Sequence, residues 1–371
     1  MNYKIAVLAG DGIGPEVTEQ SRKALKAIGD QYNHTFEFTE GLVGAAAMSK
    51  TGDPLPEETL NICEAADAVL FGAIGDPKYD SDLTAKIRPE QGLFRLREVL
   101  GLFCNIRPAK TFKQLIDSSP LKKEIVDGSD FIIYRELTGG IYFGKKELSE
   151  DGTTAFDGCE YSVEEIERIA HLAFKRAMTR RKKLTLVDKA NVLETSRLWR
   201  STVQAMADTY PEVQLEFLYA DKAAMQLVLN PKQFDVILTD NLFGDMLSDE
   251  AAVIAGSIGL LASASVGEKN AVFEPVHGSF PQGAGKDMAN PLASILSAVL
   301  LLEYLKLHAE AHSLYRAVEK SLELGISTAD INPTKPFSTS KVGDFIVDCI
   351  YDEDDVNVNI DNVQAGQSTI I

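Results

Sequence analysis

The chain has 371 residues, 45% of them apolar, and a formal net charge of -18. That length exceeds what one hydrophobic core usually encloses and predicts two domains. The acidity excludes partners held by bulk attraction to a polyanion, nucleic acid and anionic membrane among them, but leaves small anions that a local arginine cluster could bind.

In chain order, the first strand is expected over residues 4–8, within MNYKIAVLAGDG; glycine and aspartate break that run too early for a signal peptide. GDGIGPE (Gly10 to Glu16) follows, then a helix over 15–28. Its glycines fall as GxGxG and no ribose-binding acid follows at the right distance, so it fits a dinucleotide fingerprint poorly. It suits a loop whose backbone approaches a ligand or a neighbouring loop.

Further strands are expected over 68–71, 131–135, 184–187, 215–219, 234–238 and 271–274, and helices over 163–180, 196–209, 245–256 and 290–307. This alternation predicts an α/β fold. Segment 140–162, rich in glycine, charge and aromatics, reads as an extended arm or hairpin. The longest apolar stretch, 292–302, falls well short of the ~20 residues of a membrane span and reads as a buried helix. Residues 351–371, opening on an acidic run, read as a solvated, flexible tail. Cys63, Cys104, Cys159 and Cys349 show no metal-site spacing, which predicts reduced, mostly buried thiols in a cytoplasmic protein.

Three expected strands run into aspartates, Asp188, Asp221 and Asp240, and ligands of α/β folds gather at the carboxyl ends of strands. Any single one of them is more often a helix cap or loop residue. In NLFGDMLSDE, Asp245 and Asp249 are four apart and share a helix face, where like charges repel. A hard divalent cation would offset that repulsion. A solvated acidic face is the other reading, and the apolar neighbours leave the two level. Arg97 and Arg107 stand among Leu93, Phe94, Leu96, Leu102 and Phe103, a setting that suits either bidentate carboxylate binding or a structural ion pair. Lys189 adjoins Asp188; neighbouring cations would lower its pKa and make it a candidate base.

The segments GDGIGPEV, LFGAIGDP, FCNIRPAK, RELTGGIYFG, VDKANVLE, NLFGDMLSDEAAVIAGSIGL, FEPVHGS and ANPLASILS stand in one order from about residue 5 to about residue 345. Together they make the chain resemble the β-decarboxylating dehydrogenases, the isocitrate and isopropylmalate dehydrogenase family. The resemblance implies a two-domain, non-Rossmann α/β fold with the active site in the interdomain cleft. One domain would take residues 1–104 and 264–350, on the cofactor side; the other, 105–263, would carry the arm and the dimer contact.

It also implies roles for particular residues. Arg97, Arg107 and Arg135 match the arginines that hold the malate carboxylates, Tyr142 the acid, and Lys189 the lysine of proton transfer. Asp221, Asp245 and Asp249 match the ligands of Mg2+ or Mn2+. Lys189 and Asp221 would reach the site from a second subunit, which implies a homodimer. Glu274, His277, Gly278, Ser279, Gln282 and Asn290 fall in the cofactor-binding segments, and Glu90, Leu93, Phe94 and Val192 in those that meet the substrate.

Apolar Leu93 and Phe94 would leave a third carboxylate unpaired at a cost of several kcal/mol, whereas an isopropyl group fits. The implied reaction is oxidative decarboxylation of 3-isopropylmalate in leucine biosynthesis, with tartrate or D-malate as alternative substrates. A non-catalytic acidic binding protein would have to retain Lys189, Tyr142 and all three aspartates without use. Three residues depart from the family pattern: Phe94 where leucine is usual, Lys222 where asparagine is common, and Gln282 where NAD-using members carry a ribose-binding aspartate. Glutamine neither repels nor binds a 2′-phosphate, so NAD is expected with a narrowed preference.

Overall fold

The computed structural model describes residues 1–80, 87–254 and 256–352; the tail expected beyond residue 352 lies outside the described residues. In chain order its strands are β1 (Asn2–Gly10), β2 (Thr35–Glu40), β3 (Ala68–Ala73), β4 (Cys104–Lys110), β5 (Asp130–Glu136), β6 (Lys146–Leu148), β7 (Ala155–Asp157), β8 (Lys183–Asp188), β9 (Gln214–Tyr219), β10 (Val236–Thr239), β11 (Ala262–Val266) and β12 (Ala271–Pro275). The chain divides into two compact units: Met1–Leu102 with the described residues from Ser257 onward, and Phe103–Gly256.

In the first unit the strands run β2-β1-β3-β12-β11, parallel except for the final antiparallel pair. Every residue of β3 (AVLFGA) is buried, as a continuous apolar run requires when both sheet faces are covered. The helix Leu292–Tyr304 is buried from Leu292 through Glu303, so the stretch expected to be an internal helix is one. It packs against the helix Gly14–Tyr32, which also meets the helix Thr339–Tyr351.

The glycine loop meets neighbouring loops. Gly10 and Gly12 have positive φ, and a Cβ on either would overlap the carbonyl oxygen of Ala73 or Ser279. Ile13 N–H donates to that Ser279 oxygen at 2.8 Å. Asp11, almost buried, accepts from the backbone N–H groups of Ala45, Ala46 and Gly75.

In the second unit the order is β4-β5-β10-β8-β9, all parallel but for β4, which runs antiparallel to β5. A capping box, Ser162 with Glu165, starts the helix Val163–Thr179 at the expected place. Within the expected arm, β6 and β7 form an exposed antiparallel hairpin that leaves Leu148 and Phe156 in solvent. The helix carrying Asp245 spans Asn241–Ile254 and so begins earlier than expected, because Asp240 accepts from Phe243 N–H at 2.9 Å and caps it.

The four cysteines are free thiols; Cys63 and Cys104 are buried, Cys349 is half-buried and Cys159 is exposed. Among the described residues no helix is long and apolar enough to cross a membrane.

Candidate active site

Sheet geometry delivers two arginines to one face of the second unit. Asn105 of β4 lies opposite Arg135 of β5, and Arg107 is two residues beyond Asn105, so all three share a side. Arg107 Nε donates to Asn105 Oδ1 at 2.7 Å. Arg135 is buried, and its guanidinium reaches both Asn241 and Asp245. Nε and Nη2 donate to Asn241 Oδ1 at 3.0 and 2.8 Å, while Nη1 donates to the Asp245 carboxylate.

Tyr142 ends the short turn Gly140–Tyr142, and its hydroxyl donates to Asp245 Oδ2 at 3.0 Å. Burial and the bond to Asp245 push the phenol above its usual pKa, so it stays protonated near neutrality, as an acid must. Arg135, Tyr142 and Asp245 thus form one contact group of cation, proton donor and carboxylate. Asp249 follows Asp245 by one helical turn and is exposed.

Lys189 and Asp221 form a second group. Lys189 Nζ donates to Asp221 Oδ1 at 2.5 Å, and this holds the carboxyl below its usual pKa. Ser196 Oγ accepts from Lys189 N–H, and the Tyr219 ring lies 5.9 Å from the ammonium. Val192 is exposed nearby in sequence. Carboxylate oxygens at Asp245, Asp249 and Asp221 are the donors a hard divalent ion takes. Among the described residues, however, no three His, Cys, Asp or Glu side chains gather in one chain to hold a metal.

Of the other strand-end aspartates, Asp188 is structural: it accepts both Nε and Nη2 of Arg200, at 2.8 and 2.7 Å. Asp240 is a cap, and burial first, then the charge of Glu136, outweighs its bond from Phe243 and raises its pKa to about 7. A carboxyl raised by folding favours the native state while protonated, and that contribution fades as pH climbs from about 4 through 7. Asp240→Asn, which keeps an acceptor for Phe243, should therefore melt higher than the parent at pH 8. The advantage should vanish by pH 4 in thermal melts of metal-free protein.

In the first unit, the helix Glu90–Val99 buries Leu93 and Leu96, and the following Leu100, in the core. Glu90, Phe94 and Arg97 share another face, with Phe94 54% exposed. Phe94 is exposed on that face, whereas Leu93 packs in the core. Arg97 Nη2 donates to Glu274 Oε1 at 2.7 Å, while its buried Nε has no partner among the described residues.

His277 Nε2 is likewise buried without a partner among the described residues, and burial keeps the imidazole neutral at pH 7. A Cβ at Gly278 would meet open space. Ser279 is buried, Asn290 Nδ2 donates to Asp330, and Gln282 is exposed in the turn Pro281–Gly283. An unpartnered buried imidazole beside an open glycine fits the polar edge of a bound cofactor.

The family model described as isocitrate/isopropylmalate dehydrogenase matches residues 4–346. The chain belongs to this family. A 3-isopropylmalate dehydrogenase of Bacteroides fragilis is 52% identical over 352 residues, covering 94% of this chain and 99% of that protein. One of Aquifex aeolicus is 54% identical over 333 residues, covering 89% and 91%. Among solved structures, the isocitrate dehydrogenase of Methylococcus capsulatus matches with a TM-score of 0.83 at 33% identity, over 94% of this chain and 99% of that one. A β-decarboxylating dehydrogenase of Thermococcus kodakarensis matches at 0.78 and 36%, over 94% and 96%. The isocitrate/isopropylmalate dehydrogenase fold, expected from the motifs, is the fold found. Within it, sequence reading passed over Asn241, whose partners lie far away along the chain and leave no local signal.

Proposed function

We propose that this chain oxidises and decarboxylates 3-isopropylmalate to 4-methyl-2-oxopentanoate and CO2, reducing NAD, as a cytoplasmic homodimer serving leucine biosynthesis. The observation that supports the reading is the contact group Arg135, Tyr142 and Asp245, a guanidinium, a protonated phenol and a carboxylate in contact, which suits them to the roles proposed below. The curated relatives named above support the substrate. Phe94 supports it too, because this exposed apolar ring shares a helix face with Glu90, whose charge would repel a third carboxylate.

NAD would accept the hydride, and Mg2+ or Mn2+ held by Asp245, Asp249 and the Asp221 of a second copy would polarise the 2-hydroxyl as a Lewis acid. Arg97, Arg107 and Arg135 hold the two malate carboxylates and fix the reacting carbon. Lys189 takes the 2-hydroxyl proton as C2 gives up its hydride. The 2-oxo acid then loses its β-carboxylate as CO2, and Tyr142 gives a proton to C3. Three features support the second copy: Asp221 pairs with Lys189 rather than with Asp245; Met225 and Leu229 are exposed on the helix Ala220–Leu229; and Met246 and Val253 are exposed on the helix Asn241–Ile254.

NADH formation with 3-isopropylmalate, D-malate and tartrate, each with and without a chelator, tests the proposal. Turnover with 3-isopropylmalate that the chelator abolishes is the expected result; a preference for either other acid overturns the substrate. Coenzyme choice is a separate prediction. The loop bearing Gln282 is pinned through Gly285 and Asp287 N–H groups to the Glu16 carboxylate, so a new side chain there should not shift the backbone. Gln282→Asp restores an acceptor worth ~1.5–3 kcal/mol to a ribose hydroxyl and repels a 2′-phosphate. It should raise the NAD:NADP ratio of kcat/KM by roughly tenfold or more. An unchanged ratio would mean that residue 282 does not face the ribose.

A further inference from the structure

We propose that Asn241 is a positioning residue that sets both the guanidinium plane of Arg135 and the seat of Tyr142; this rests on the dehydrogenase reading above. Asn241 is 1% exposed, and its short side chain acts in two directions. Its Oδ1 accepts from Nε and Nη2 of Arg135, occupying one edge of the fork and leaving Nη1 to point at Asp245. Its Nδ2 donates to Gly139 O at 3.1 Å, in the turn that leads into Tyr142. Its backbone N–H donates to Tyr161 Oη at 3.0 Å.

Tyr161 also closes the far side of that turn. A Cβ at Gly139 or Gly140 would fall 2.7 or 2.3 Å from the Tyr161 side chain, and Gly140 has φ of +73°. The Gly139–Gly140 backbone is therefore held between the Tyr161 ring and the Asn241 amide. One residue ties the strand bearing Arg135, the turn bearing Tyr142 and the helix bearing Asp245. Only a side chain that both accepts and donates at this length serves both arms: a carboxylate keeps the arginine arm but loses the donor to Gly139, and alanine loses both.

The arms act at different points of the reaction. Arginine orientation governs how well the dicarboxylate is held, whereas the seat of Tyr142 governs proton delivery. Steady-state kinetics of the Mg2+-loaded enzyme, with thermal melts alongside, separate them. Asn241→Asp should keep KM for 3-isopropylmalate within about threefold of the parent while kcat falls roughly tenfold or more. Asn241→Ala should lower kcat similarly and also raise KM for 3-isopropylmalate roughly tenfold or more, with KM for NAD unchanged in both. An unchanged KM in Asn241→Ala overturns the inference, as do equal kinetic losses in the two variants that follow their melting temperatures. A parent enzyme without turnover on any of the three acids overturns the dehydrogenase reading, and this inference with it.

Discussion

Lys189→Met is expected to lower kcat on 3-isopropylmalate by ~10²–10⁴-fold, the contribution of a positioned acid or base. Methionine keeps most of the side chain's length and apolar stem but has no group that takes up a proton. The backbone at this position is held independently of Nζ, through the bond from Lys189 N–H to Ser196 Oγ, so the fold should survive. Asp221 loses the partner that holds its pKa down, so its carboxyl should protonate at a higher pH than in the parent. The substrate arginines are untouched, and KM for 3-isopropylmalate should change little. Rapid-mixing measurement of NADH formation gives the rate directly. A value within about tenfold of the parent lies below that range and removes the lysine from the role of base.

Asp245→Asn should be nearly as damaging. A metal acting as Lewis acid contributes several kcal/mol of transition-state stabilisation, and removing one of the three carboxylate charges proposed to hold it forfeits much of it. At 1.36 kcal/mol per decade, a fall of roughly 10²–10³ in kcat/KM is expected. The amide oxygen can still accept from Arg135 or Tyr142, and Leu247, Ala251 and Ile254 still anchor the helix in its core, so melting should change little. Asp249→Asn lacks those two partners yet should lose activity comparably, since both lose the same kind of ligand. Titrating Mg2+ distinguishes a weakened site, which more metal partly restores, from an unrelated defect. Near-normal turnover of both variants at modest Mg2+ would remove the metal assignment.

Strands that bury both faces announced themselves. AVLFGA is a continuous apolar run and KLTLVD carries a buried, mostly apolar LTLV, and the residues read as strand there are strand. β4 and β11 gave no such signal. β4 (CNIRPAK) carries arginine, proline and lysine because its partly exposed face presents charged groups, and β11 (ASASV) is buried with side chains too small to register as apolar. At the site, the four-residue spacing of Asp245 and Asp249 was legible but left two readings level, because spacing carries no information about which cation stands opposite. Arg135 approaches Asp245 across 110 positions, and Asn241 approaches Gly139 across 102. Such pairs are products of sheet register, which a local pattern does not encode. Leu93, which the resemblance placed in the substrate segment, packs in a core cluster of the first unit, a burial that its apolar character alone did not disclose.

The first unit joins residues more than two hundred positions apart, and this has a consequence for synthesis. β3 pairs with β12 through Val69 and Val272, and the helix Gly14–Tyr32 is covered by helices made more than two hundred residues later, Leu292–Tyr304 and Thr339–Tyr351. The second unit, by contrast, is one uninterrupted stretch. Nascent chains fold as their units become complete, so Phe103–Gly256 can acquire its core while the first hundred residues still wait with an open sheet edge and an uncovered helix face. In that interval β3, apolar on both faces, is a site where chains on neighbouring ribosomes can pair wrongly. Slow elongation through the residues after Gly256 would lengthen the exposure, and a chaperone that shields extended apolar segments would act on β3 rather than on Phe103–Gly256.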